Sequence, residues 1–171
     1  MGQGELNIKV RRLAADDLGD VSAIFGWYAV NSAATFEEAP RAESEWSELR
    51  RQLDSLGLPF LVAEVDGKVA GYAYVGPWRR KPAYRYTVED SVFITPGLTG
   101  LGIGRRLLSE LIGAATEAGA RQMIAVIAES EADASVGLHK ACGFTEAGRL
   151  KDVGYKHGRW ISTLILQRQI P

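Results

Sequence analysis

The sequence predicts one α+β domain over residues 1–171, built on a mixed sheet, with seven strand-like runs and about four helical ones. Three observations predict it. Val92 to Ala115 reads as strand, glycine-rich turn and helix. Phe60 to Val75 reads as a hairpin folded at Asp66-Gly67. Phe144 to Gly154 and Trp160 to Gln169 read as a last strand pair, joined around Lys156-His157-Gly158-Arg159. The element order is β-α-α-β-β-β-α-β-α-β-β, and the glycine-turn helix crosses between neighbouring strands.

Each element has a local cause. Ile8 to Leu13 alternates apolar and basic residues, as a half-buried strand does. Asp16 or Asp17 is placed to cap a helix to about Tyr28, with Leu18, Val21, Ile24, Phe25 and Tyr28 on one face. Ala29 to Arg41 shows no period. Glu43 to Ser55 carries Trp46, Leu49 and Leu53 at helical spacing, and Gly57 stops it. Asp-Gly between two β-prone runs supplies the positive φ angles of a two-residue hairpin turn. Gly76-Pro77 ends the second of these strands, and Trp78 to Tyr84 is a basic, aromatic loop. Arg85 to Thr95 is the next strand. Arg121 to Ala128 is β-rich. Ser130 with Asp133 resembles a capping box for a short helix to Cys142, ended by Gly143.

Composition narrows the function. Hydrophobic residues make up 46% of the chain and charged ones 24%, which is ordinary for a globular protein. A net charge of −1 gives no global basic field for nucleic acid. The one cysteine excludes an intramolecular disulfide, and with two histidines it makes no metal cluster. No apolar run approaches the roughly 18 residues of a membrane span, and the N-terminus lacks a signal-peptide core. A cytoplasmic protein is the expectation.

The glycine turn is the chemically informative stretch. Gly97, Gly100, Gly102 and Gly104 precede a helix whose apolar face is Ile103, Leu107, Leu108, Leu111, Ile112 and Ala115. Unpaired N–H groups at a helix N-terminus, at the positive end of the dipole, bind anions, and glycine lets a phosphate approach closely. A Walker A loop is excluded because Arg105-Arg106 follows Gly104. A dinucleotide fingerprint is excluded because Arg105 stands where its third glycine belongs. On the residues alone, the turn is either an anion site or a plain flexible connection.

The element order and the stretch from Val92 to Phe144 resemble the GNAT superfamily of N-acetyltransferases, which bind acetyl-CoA. Leu61 to Gly67, Gly76-Pro77-Trp78, Thr87 to Val92, Leu138-His139, Gly143-Phe144 and Lys156 to Trp160 look like the phosphinothricin and methionine sulfoximine N-acetyltransferase family. The likeness spans about residues 8 to 170. It implies a mostly antiparallel seven-stranded sheet, acetyl-CoA as cosubstrate, no metal and a homodimer. Val92, Phe93 and Ile94 would carry the pantetheine arm, with backbone groups of Val92 and Ile94. Thr99, Gly100, Leu101, Gly102, Ile103, Gly104 and Arg105 would cradle the pyrophosphate. The family usually has Gln, then Arg or Gly, where this chain has Thr99 and Gly100. It often has Asn where this chain has Ala132; Ser130 or Ser135 are the candidate substitutes.

The implied reaction is direct attack of a primary amine on the acetyl thioester. An amine is protonated at neutral pH, so a base is needed, and Glu89 is the candidate. On a regular strand Asp90 faces away from Glu89, so the two are not expected in one site. His139, which shares a helical face with Ser135 and Cys142, is the second catalytic candidate, as acid, shuttle or substrate positioner. Cys142 reads as core. The acceptor is expected to meet Phe36, Trp78, Arg79, Arg80, Lys81 and Tyr84, together with Glu89, Asp90 and Ser91. Three cations in that loop suit the carboxylate or phosphinate of a small amino acid analogue. The alternatives are N-acetylation of another amine, and an acetyl-CoA-binding regulatory module without catalysis.

Overall fold

The computed structural model describes residues 6–131 and 133–171. Among them, seven strands form one sheet: β1 (Ile8–Arg12), β2 (Phe60–Val65), β3 (Lys68–Pro77), β4 (Thr87–Ile94), β5 (Gln122–Ala128), β6 (Thr145–Lys156) and β7 (Arg159–Gln169). Their order across the sheet is β1-β2-β3-β4-β5-β7-β6, and every pairing is antiparallel except β4 with β5. The described helices are α1 (Leu18–Asn31), α2 (Glu43–Ser55), α3 (Ile103–Glu117) and α4 (Asp133–Ala141).

Side-chain alternation divides the core between the two faces of the sheet. On one face α3 packs on β1 to β5, with Leu107, Leu108 and Leu111 fully buried against Val88, Met123 and Leu166. On the other, α1 and α2 cover an aromatic layer of Trp46, Phe60, Tyr72 and Phe93 around Phe25. The buried residues of α3 are the six of its predicted apolar face. Asp66 and Gly67, at φ +52° and +73°, make the hairpin turn as expected, and His157 and Gly158 repeat it at +50° and +75°.

Four local readings change. α1 runs three residues past Tyr28, to Asn31. Asp17 does not cap it: its carboxylate holds Arg11 at 2.7 and 2.9 Å and accepts the Ala14 N–H at 2.7 Å. β6 continues to Lys156, with the 150–154 irregularity bent by Asp152 at φ +49°. Ser130 makes no cap: its hydroxyl is buried without a hydrogen-bond partner among the described residues. Ala132 and the Asp133 side chain lie outside the described residues.

The feature that positions the site is a split in the sheet. β4 pairs with β5 only over Thr87–Glu89, against Gln122–Ile124. β4 then continues to Ile94 and β5 to Ala128 without pairing to each other.

Candidate active site

Parity on β4 decides what the split exposes. Thr87 and Thr95 bond across to β3, through Trp78 N to Thr87 O at 3.2 Å and Thr95 N to Ala70 O at 2.8 Å. The register between them is unbroken. The odd-numbered residues therefore direct N–H and C=O at β3, and Asp90, Val92 and Ile94 direct theirs into the gap left by β5. Those backbone groups are open to a ligand lying in the gap. Tyr28 reaches across from α1 to donate to the Ile94 carbonyl at 2.6 Å, so that oxygen has one lone pair already engaged.

A cavity of about 970 Å³ passes through this split. Its first half lies on the α3 and α4 face, between the glycine turn and Ile94, Ala134, Ser135 and Leu138. Thr99, Gly100, Gly102, Gly104 and Arg105 border it. Gly100 and Gly102 have φ of +77° and +84°, and no atom lies within 4 Å of where a Cβ would stand at either. The turn is a bare backbone concavity ending at the N-terminus of α3, whose first N–H groups have no intrahelical acceptor. The arrangement fits a pyrophosphate. Leu101 is exposed at 47% and Ile103 is buried in the core, so neither borders the cavity.

The second half lies on the α1 and α2 face. It is bordered by Phe25, Tyr28, the 34–37 stretch with Phe36, Arg41, Tyr74, Glu89, Ser91 and Phe93. Glu89 is half-buried at the point where β4 and β5 part. Its carboxyl is pushed up from the ordinary range, first by burial and then by the charge of Asp90; Arg79 pulls partly the other way.

Asp90 borders the same cavity, which corrects the expectation that it and Glu89 cannot share a site. The alternation holds, but with β5 diverging after Glu89 the cavity reaches both faces of β4. Asp90 Oδ2 lies 2.9 Å from His139 Nε2, and both side chains are 4% exposed. The other ring nitrogen, Nδ1, lies 2.7 Å from the Ser135 carbonyl. A carbonyl only accepts, so Nδ1 carries a proton. Burial works against a charged ring here, but the bond to Asp90 and its charge outweigh it, and His139 keeps its second proton above its ordinary pKa. Below the raised pKa of the ring, Asp90 and His139 form a buried ion pair beside Glu89.

The basic loop is elsewhere. Trp78, Arg79, Arg80, Lys81 and Tyr84 do not border the cavity. β3 ends opposite Val88, at the N-terminal part of β4, whereas the cavity opens along the C-terminal half. Arg79 stacks over Trp78 at 4.8 Å and acts on Glu89 through its charge alone. Cys142 is buried in the α3 core, and burial pushes its thiol up, which leaves it a poor nucleophile. Among the described residues no cluster of His, Cys, Asp and Glu could hold a metal ion, and no helix is long and apolar enough to cross a membrane.

Reading the sequence missed Arg41, Tyr28, Tyr74 and Lys156. Lys156 is 2% exposed and its Nζ donates to the carbonyls of Thr35 at 2.8 Å and Glu37 at 2.7 Å, one on each side of Phe36. Tyr74 was legible as an aromatic of β3, one alternation from Tyr72 on the same face. Arg41 was not, because it stands in an aperiodic connection.

Comparison with known proteins adds to this geometry. Residues 22–144 match the model of the Acetyltransferase (GNAT) family. The phosphinothricin N-acetyltransferase of Alcaligenes faecalis is 46% identical over 161 residues, covering 94% of this chain and 82% of that protein. The L-methionine sulfoximine/L-methionine sulfone acetyltransferase of Salmonella typhimurium is 45% identical over 125 residues, 73% of this chain and 71% of the other. Among solved structures, a GNAT superfamily phosphinothricin acetyltransferase from Sinorhizobium meliloti, in complex with acetyl-CoA, superposes with a TM-score of 0.92. It is 41% identical, over 96% of this chain and 89% of that one.

Proposed function

The chain belongs to the GNAT acetyltransferase family, and from that premise we propose that it acetylates the α-amine of small amino acid analogues of the phosphinothricin, methionine sulfoximine or methionine sulfone type. The observation that carries the reading is Glu89. It is a half-buried carboxylate, raised in pKa, at the junction of the two cavity halves.

Acetyl-CoA supplies an acetyl thioester whose carbonyl carbon takes the amine lone pair as the C–S bond breaks and the CoA thiolate leaves. The rest of the chemistry falls to the protein. The N–H groups at the start of α3 and the glycine turn hold the pyrophosphate. Backbone groups of Val92 and Ile94 align the pantetheine arm, and an N–H of this open edge faces the developing oxyanion. Glu89 takes a proton from the acceptor ammonium, directly or through one water, freeing the lone pair, and the proton that nitrogen sheds after the attack ends on the departing thiolate. A base with a raised pKa suits this task better than an ordinary carboxylate. His139 stores the proton it shares with Asp90 on the cofactor side of the split. A thiolate of pKa about 8.5 leaves without that proton, so the acid role assists and does not decide.

The acceptor side chain enters among Phe25, Phe36 and Tyr74, with the basic loop supplying a positive field near Glu89. We read the chain as a homodimer, from the apolar edge formed by Leu150, Val153, Tyr155 and Trp160 on β6 and β7, exposed at 49–65%. Trp160→Glu should then sediment as a monomer; an unchanged sedimentation coefficient contradicts the assignment. We infer a cytoplasmic reaction from the dependence on acetyl-CoA.

The test is CoA-thiol release against phosphinothricin, methionine sulfoximine, methionine sulfone, unmodified amino acids, spermidine and an aminoglycoside. Turnover with the first three supports the reading. Turnover restricted to the polycations contradicts the acceptor class, and saturable acetyl-CoA binding without release for any amine contradicts catalysis.

A further inference from the structure

The acceptor half of the cavity carries a cation, Arg41, that the mechanism above does not use. Its position is prepared. The guanidinium carbon lies 4.8 Å from the centre of the Phe25 ring and 5.1 Å from that of Trp46. The two rings hold the guanidinium in place, and its planar fork is what distinguishes arginine from lysine in binding oxyanions. Ser22 Oγ donates to the Arg41 carbonyl at 2.7 Å, which holds the backbone as well.

The charge of Arg41 has one carboxylate partner, which is exposed, and a hydrogen-bonding neighbour in Tyr74. Nη2 pairs with Glu37 Oε1 at 3.0 Å, and that carboxylate is 52% exposed. A pair this open to water contributes little and yields easily to an incoming anion. Tyr74, close enough to act on the Arg41 charge, stands across from Ser91 in the register of β3 and β4. Ser91 is two residues from Glu89 on the same face, about 7 Å along the strand. Arg41 and Glu89 border the same half of the cavity, so an amino acid with its amine at Glu89 can direct an oxyanion toward Arg41.

Resting on the amino acid reading above, we propose that Arg41 receives an oxyanion of the acceptor, either its α-carboxylate or a side-chain phosphinate, in place of Glu37. The carboxylate role expected of Arg79, Arg80 and Lys81 then passes to a residue that borders the cavity.

The test uses Arg41→Met, which keeps an apolar stem against the two rings, and Arg41→Lys, which keeps the charge without the fork. Steady-state constants are measured for phosphinothricin, methionine sulfone and the α-amide of methionine sulfone, with acetyl-CoA varied as a control. Expected is a rise in KM of about tenfold or more for the acids in Arg41→Met, partly restored in Arg41→Lys. The KM values for the amide and for acetyl-CoA should stay as in the wild type. A rise for both acids identifies the carboxylate, and a rise for phosphinothricin alone identifies the phosphinate. An equal rise for methionine sulfone and its amide, or no rise for either acid, overturns the proposal while wild-type turnover keeps the amino acid reading intact. A wild type that acetylates no amino acid overturns both.

Discussion

His139 Nε2 and Asp90 Oδ2 stand 2.9 Å apart across the split in the sheet, both side chains 4% exposed. α4 supplies the imidazole and β4 the carboxylate, so the pair ties the helix to the strand that carries Glu89. The pKa of His139 is raised in the folded state. Its contribution to stability is therefore fully present below the unfolded value, about 6.5, and is lost as pH rises through the folded value. Asp90→Asn should destabilise the protein by about 1–3 kcal/mol at pH 6 and by less at pH 9. It should also lower the pKa of Glu89, since the charge of Asp90 helps to raise it. Thermal unfolding at both pH values, with NMR titration of the His139 ring, checks this. A destabilisation independent of pH would count against the ion pair.

The glycine turn predicts an effect confined to the cofactor. Gly102 sits at φ +84° with open space around it, so Gly102→Ala meets no clash. It pays the left-handed strain of about 1–2 kcal/mol and places a methyl group where a phosphate approaches. KM for acetyl-CoA should rise about tenfold, and KM for the acceptor should not change. Calorimetry of acetyl-CoA binding gives the same answer without turnover.

Lys156 predicts the reverse pattern. Its Nζ holds the carbonyls on either side of Phe36, and a Cβ at Gly154 would enter the Phe36 ring. β6 thus shapes the acceptor half of the cavity from more than a hundred residues away in sequence. Lys156→Met should destabilise the fold by about 2–4 kcal/mol, the loss of two charge-assisted hydrogen bonds. In the folded variant, KM for the acceptor should rise while KM for acetyl-CoA stays. A proportional loss in both would reduce Lys156 to a fold residue.

These residues show what local sequence can and cannot carry. The α3 face, the Asp66-Gly67 turn and the open glycine backbone follow from period and backbone chemistry, and they were legible. Asp90 enters the site against expectation because alternation along β4 says which face a side chain takes, not that β5 leaves after Glu89. That departure is a pairing property of two segments some 35 residues apart. The basic loop was legible as a cluster of cations, but its distance from the cavity depends on where β3 ends relative to β4. The site roles of Arg41, Tyr28 and Lys156 were not legible, for one reason. Each acts on a partner that only the fold brings near: two aromatic rings, a strand carbonyl and a loop backbone.

The most direct test of the central claim is kcat/KM against pH for the wild type and Glu89→Gln, with the best acceptor from the panel. The base must be ionised to act, and its pKa is raised. The wild-type rate should fall on the acid side through a pKa above the ordinary carboxylate range. Glu89→Gln should lose about 10²–10⁴ in rate together with that limb, and should bind acetyl-CoA as before. A Glu89→Gln enzyme with the wild-type rate and the same acid limb would contradict the account.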